Sequence, residues 1–145
     1  MKNGHYILDD GSEEWYVNDL LHRTDGPAAI FTRDNISYWY FMGQIHRVGG
    51  PAIIFTNSVE WWQYNNRHRI GGPAIEYNNG DKIWVVDGRL HRTDGPAIEK
   101  SDQIKWYING IDISADVEQW IKENNISHYS KWDNQIKMQF KLIFG

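Results

Sequence analysis

The motif His-Arg-x-x-Gly-Pro-Ala occurs four times in this chain, starting at His22, His46, His68 and His91, and each copy follows a tryptophan by seven residues (Trp15, Trp39, Trp61 and Trp84). The histidines are 24, 22 and 23 residues apart. A period in this range marks a repeat architecture, in which a small supersecondary unit buries its apolar face only against its neighbours. The distance from Trp to His is fixed, whereas that from each motif Ala to the next Trp varies from nine to eleven. Length variation is therefore confined to one connection per unit.

Each Trp lies in a segment with strand character: Glu14-Trp15-Tyr16-Val17, Tyr38-Trp39-Tyr40-Phe41, Glu60-Trp61-Trp62, Ile83-Trp84-Val85-Val86 and Lys105-Trp106-Tyr107-Ile108. Aromatic and β-branched residues dominate all five. A turn signal follows each, at Asn18-Asp19, Met42-Gly43, Asn65-Asn66, Asp87-Gly88 and Asn109-Gly110, and Asp-Gly and Asn-Gly suit two-residue hairpins because they tolerate positive φ. The chain then returns through His-Arg into a second run, such as Pro51–Phe55 or Pro73–Tyr77, that ends in a further turn. The expected fold is mainly β: an antiparallel meander of about four hairpin repeats. An open twisted sheet is expected, although the roughly nine strands leave closure towards a barrel open.

The pattern starts half-way through a unit, with Gly4-His5-Tyr6-Ile7 aligned on Gly95-Pro96-Ala97-Ile98, and it stops at residue 112. Residues 113–145 read as a capping segment of the same domain. Ile113-Ser114 replaces His-Arg, and Ser114 is a candidate N-cap for a helix from about Ala115 to Asn124 with Val117, Trp120 and Ile121 on its apolar face. Ile136, Met138, Phe140, Leu142 and Phe144 then alternate with mostly polar residues. This predicts a strand, although Trp132, Ile136 and Phe140 also fit one helical face.

With 41% hydrophobic residues and eight Trp in 145 residues, the chain has enough apolar side chains for a folded domain. Its formal charge of −4 argues against generic binding to nucleic acid or anionic membranes. There are no cysteines, which excludes thiolate catalysis and Cys-based metal sites. No apolar leader opens the sequence, and no stretch approaches the roughly 20 apolar residues of a membrane span, so a cytoplasmic location and no membrane partner are expected.

All four prolines lie in Gly-Pro-Ala. Proline lacks an N–H and suits a bulge or an unpaired strand position, and the small Ala lets a bulky ring pack close. The repeated histidines fall about 10 Å apart across two strand spacings, too far for shared zinc ligation; each ring is expected to donate a hydrogen bond to a carbonyl. Arg23, Arg47, Arg69 and Arg92 form a ladder whose structural role is cation–π packing between neighbouring units. Their functional alternative is an anion contact. Asp25 and Asp94 sit beside the outer arginines, whereas the central units carry Gly49 and Gly71 there, which makes Arg47 and Arg69 the first choices for that contact.

Features common to all units are those the fold needs repeatedly, so specificity is expected where units differ: Arg33, Tyr38, Tyr40, Trp62, Tyr64, Arg67, Tyr77 and Arg89. Tyr38, Tyr40, Trp62, Tyr64 and Tyr77 with Arg67 form a candidate aromatic binding patch with cationic borders. No phosphate loop, nucleophile elbow or His-Glu-x-x-His motif occurs, so neither an enzyme nor a cofactor is expected.

The Trp, turn-Gly and later Gly positions of the 23-residue hairpin unit resemble the MORN repeat, and the His-Arg-x-x-Gly-Pro-Ala signature resembles the MORN-like (MORN_2, YwqK-like) variants of phage and giant-virus proteins. The resemblance spans roughly Gly4 to Gly110. It departs from the standard unit by about two residues around His-Arg and by the Pro. It implies a repeat β-sheet with an interaction role. On that basis the expected function is a non-enzymatic, phage-encoded protein acting in the host cytoplasm and inhibiting a host protein such as an antiviral defence component. The alternatives are a sponge for a nucleotide signal, held by Arg and Trp of adjacent units, and a self-assembling virion or scaffold component.

Overall fold

A computed structural model describes all residues from Met1 to Gly145. The chain forms an open antiparallel meander, in which ten strands follow one another in chain order from Gly4–Ile7 to Ile104–Lys105 and Leu20–Leu21 pairs additionally with Glu13–Val17. Two helices close the chain, α1 (Ser114–Glu123) and α2 (Asn134–Phe144).

From the second Trp onwards the chain leaves the main sheet at the Trp itself. Beyond it a separate short hairpin forms: Tyr40–Phe41 with Gln44–Ile45, Trp62–Gln63 with Asn66–Arg67, Val85–Val86 with Arg89–Leu90, and Tyr107–Ile108 with Ile111–Asp112. The turns occupy the third and fourth residues after each Trp, and both residues have positive φ, the geometry of a type I′ hairpin. In the third unit the turn is accordingly Tyr64-Asn65 rather than Asn65-Asn66, with Tyr64 held at φ +46°.

Each unit is tied to the next by backbone bonds. The Trp15 N–H donates to the Ala28 carbonyl (2.8 Å), and the Ala28 N–H donates onward to the Tyr38 carbonyl (2.8 Å). Both links recur at Ala52 and Ala74, and the Trp84 N–H donates in the same way to the Ala97 carbonyl. The motif alanines thus alternate with tryptophans along one row of the sheet, and all four are 0% exposed. With no exposure left at these positions, a larger side chain would have to displace the groups packed on them. The row of hairpins is linked separately, the Gly43 N–H donating to the Leu21 carbonyl and the Gly88 N–H to the Arg67 carbonyl.

At the N-terminal edge, His5 pairs with Trp15 and stacks on its ring at 4.2 Å. This register places His5 where the later units have Ala, one residue off the alignment with Pro96, because the turn after Ile7 is longer. At the other edge Ser114 begins α1 but does not cap it. The N-cap is Ile113, without a side-chain hydrogen bond, and the Ser114 hydroxyl instead accepts the Trp106 N–H (3.0 Å). That donor is the one that meets an Ala carbonyl in the preceding units.

The expected C-terminal strand is helix α2. Phe140 joins Trp106, Val117 and Trp132 in the core cluster, and Ile136 and Phe144, four residues to either side of it, pack against that cluster, while Met138 and Leu142 are exposed. The start of α2 is fixed by Asp133, whose carboxylate accepts the Ile136 N–H (2.9 Å). No helix is long and apolar enough to cross a membrane.

Candidate functional site: a furrow of stacked arginines and tryptophans

Only 20 of the 145 residues are buried, so much of the order in the repeats comes from their polar architecture. Every motif arginine stacks on the Trp of its own unit, eight residues earlier, and not on that of a neighbour. The guanidinium carbon lies 4.0 Å from the ring centre for Arg23 on Trp15, 3.7 Å for Arg47 on Trp39, and 3.8 Å for both Arg69 on Trp61 and Arg92 on Trp84. The Nη1 group also donates to the motif proline's carbonyl, at 3.0 to 3.3 Å. The motif glycine makes room for this arrangement: a Cβ at Gly26, Gly50, Gly72 or Gly95 would stand 2.7 to 2.9 Å from the guanidinium carbon. The Arg, Gly and Pro of the signature are therefore one device, a cation held flat between an indole and the backbone.

The histidines connect successive units. The His N–H donates back to the Trp carbonyl of its own unit, and the ring receives the next hairpin. The Met42 N–H donates to His22 Nδ1, and the Asn109 N–H to His91 Nδ1, each at 3.1 Å. These rings accept a backbone N–H, where donation to a carbonyl was expected, so in this arrangement Nδ1 carries no proton. His46 Nδ1 has no such partner; the ring stacks on Tyr64 at 4.1 Å instead. No group of three or more His, Asp or Glu side chains is arranged to hold a metal.

Between successive stacks the surface opens into a furrow with three cavities. The first, about 460 Å³, is lined by Arg23, Trp39, Phe41, His46, Arg47 and Tyr64 among others. The second, about 360 Å³, lies between Arg47 and Trp61 with His68 and Arg69. The third, about 510 Å³, runs from Arg69 to Trp84, His91, Arg92 and Lys141 of α2.

The ladder arginines differ in their counter-charges. Arg23 Nε donates to Asp25 (2.8 Å), and Arg92 Nε to Asp94 (2.7 Å), with Glu99 3.1 Å from its Nη1. Arg69 was expected to lack an acid, but its Nη1 is paired with Glu76 seven residues on. At that offset Arg47 has Ile54, and it forms no salt bridge. Partial burial without a counter-charge pulls the Arg47 guanidinium below its usual pKa.

The expected aromatic patch is divided in space. Tyr38 and Tyr40 flank Trp39 in sequence and make a separate cluster, with Phe31 and Phe55 packed edge-on against Tyr38. Burial, followed by the neighbouring Tyr38, pushes the Tyr40 hydroxyl pKa up. Trp62 donates its indole N–H to buried Glu60 (2.8 Å), and Arg67 binds the same carboxylate (3.0 Å) over the Trp62 ring. Arg67 is thus engaged within the fold. Tyr77 lies at a distant turn beside Asn57, Asn78 and Asn79. Of the six residues only Tyr64 lines the furrow.

Sequence comparison of units missed two contributors, Val48 and Ile70. They follow Arg47 and Arg69, line the furrow, and are 79% and 72% exposed. The outer units carry Thr24 and Thr93 at this position, a difference visible in the alignment of units once aliphatic residues are compared along with aromatic ones.

No protein-family model matches the chain, and no curated protein matches it.

Proposed function

We propose that this chain is a non-enzymatic, MORN-like binding protein that docks a protein partner on the furrow face of its two central units. The observation that carries this reading is a pair of solvent-exposed aliphatic side chains along the furrow: Val48, in one cavity with Phe41 and Tyr64, which are 42% and 55% exposed, and Ile70, in the next two cavities. The outer loops show that Thr serves this position equally well for folding, so the aliphatic choice is unexplained by the unit's own packing. Exposed apolar groups that line one furrow beside cations fit a protein interface. The furrow is open along its length, which favours a protein surface over an enclosed small molecule. The partner we propose, from the resemblance to phage and giant-virus repeats, is a host protein of antiviral defence that is inhibited in the host cytoplasm.

The test is quantitative capture from a bacterial lysate with the wild-type chain and the Val48→Lys/Ile70→Lys variant, followed by native mass spectrometry. The reading expects one stoichiometric protein partner, lost with the variant. A retained adduct of a few hundred daltons would replace it with a nucleotide sponge, and concentration-dependent self-assembly with a scaffold role.

A further inference from the structure

The outer units display the ligand that the central furrow lacks. In units one and four the Arg Nε–H is occupied by an Asp carboxylate two residues on, at 2.8 and 2.7 Å. In unit two that residue is Gly49, at φ +77° and with nothing within 4 Å of where its Cβ would be. Arg47 Nη1 is committed to the Pro51 carbonyl (3.0 Å), and one face of the guanidinium is committed to Trp39. Its Nε–H has no acceptor in the protein. The guanidinium is therefore already oriented, and side-chain ordering adds little to the cost of binding there. Arg69 also has a glycine two residues on, but Glu76 neutralises it. Arg47 is the one ladder cation with neither acid.

We propose that Arg47 is the anchor for an acidic side chain of the partner, an Asp or Glu flanked by aliphatic residues, which supplies from outside the carboxylate that Asp25 and Asp94 supply within their own units. The aliphatic flanks are set by Val48 beside the vacant position and by Ile70 on the adjoining loop. A single unpaired cation between apolar side chains complements one carboxylate; a dianionic phosphate calls for a cluster of donors. The proposal rests on the docking face described above and names the chemistry that face selects.

The probe is the peptide acetyl-Leu-Asp-Leu-amide, titrated into the labelled full-length protein while the arginine Nε–H resonances are recorded by NMR. The Arg47 resonance should move, with those of Arg23 and Arg92 still, and the Leu-Asn-Leu peptide should bind at least about tenfold more weakly, as expected when a charge-assisted bond is lost. The Val48→Thr/Gly49→Asp variant places the outer-unit residues in unit two; Gly49 has φ +77° whereas Asp25 and Asp94 have no positive φ, so the variant should fold with a lowered melting temperature and abolish the Arg47 response. Equal responses from Arg23 and Arg92, equal binding of the Asn peptide, or a larger response to inorganic phosphate would each overturn the proposal. If Arg47 stays still while Val48→Lys/Ile70→Lys still abolishes capture, the carboxylate anchor falls and the docking face stands.

Discussion

The guanidinium of Arg47 lies 3.7 Å from the centre of the Trp39 ring and so close to Gly50 that a Cβ there would come within 2.8 Å of its carbon. This relation recurs in all four units and explains why Arg, Gly and Trp travel together in the sequence. It also separates two roles, since the stack is repeated while the counter-charge is not. The stacking is shared by the fold; the unneutralised Arg47 belongs to one unit.

Gly50→Ala should destabilise the protein by about 1–3 kcal/mol, because the added methyl displaces a packed guanidinium. Gly50 has no positive φ, so backbone strain adds little. In an Arg47→Ala background the same substitution should cost far less, and a double-mutant cycle by urea denaturation reads the difference as coupling. Additive costs would show that the clash is not with Arg47.

Ser114→Ala removes the acceptor of the Trp106 N–H in a buried position. An orphaned buried donor costs about 1–3 kcal/mol. The expected readout is a lower urea midpoint together with faster hydrogen exchange at the Trp106 amide. An unchanged exchange rate would mean that α1 does not terminate the ladder through this bond.

Phe140 is fully buried beside Trp106 and Trp132. Phe140→Ala should cost about 3–5 kcal/mol and loosen α2 from the last repeat, with a red shift of tryptophan emission. The first units, held by their own stacks, should keep their amide protection.

Asp112 is held below the usual carboxylate pKa by hydrogen bonds from the Ser114 side chain and backbone N–H. The unfolded chain, with the higher pKa, takes up the proton first on acidification. The stabilisation is therefore complete above the ordinary carboxylate range and is lost as pH falls through the depressed value. Asp112→Asn should be less stable than wild type at neutral pH, and the two urea midpoints should converge as the solution is acidified. A constant difference would remove Asp112 from the acid response.

The hairpin meander was legible because Trp, turn and His recur at fixed spacing, and where spacing and residue preference disagreed the spacing was the better guide. Asn65-Asn66 has the composition of a turn, yet the turn falls on Tyr64-Asn65, three and four residues after Trp61 like the others. Helix α2 was misread because alternation of Ile136, Met138 and Phe140 mimics a strand. Its burial follows Ile136, Phe140 and Phe144, and the Asp133 cap was a local signal of the helix start. Intra-unit acids were legible only in part: Asp25 and Asp94 lie two residues after their arginines, whereas Glu76 lies seven residues after Arg69 and reaches it through the sheet. Alternation of side chains about Trp39 and Trp61 separated Tyr38, Tyr40 and Trp62 from the furrow, a distinction that a count of aromatic residues does not make.

The most direct measurement is hydrogen–deuterium exchange of the chain alone and with its captured protein partner. The account predicts new protection in the loops 46–50 and 68–72 and the hairpin around Tyr64, with the outer loops at Thr24 and Thr93 little changed. Protection confined to α2 or to the edge strand Gly4–Ile7 would contradict it.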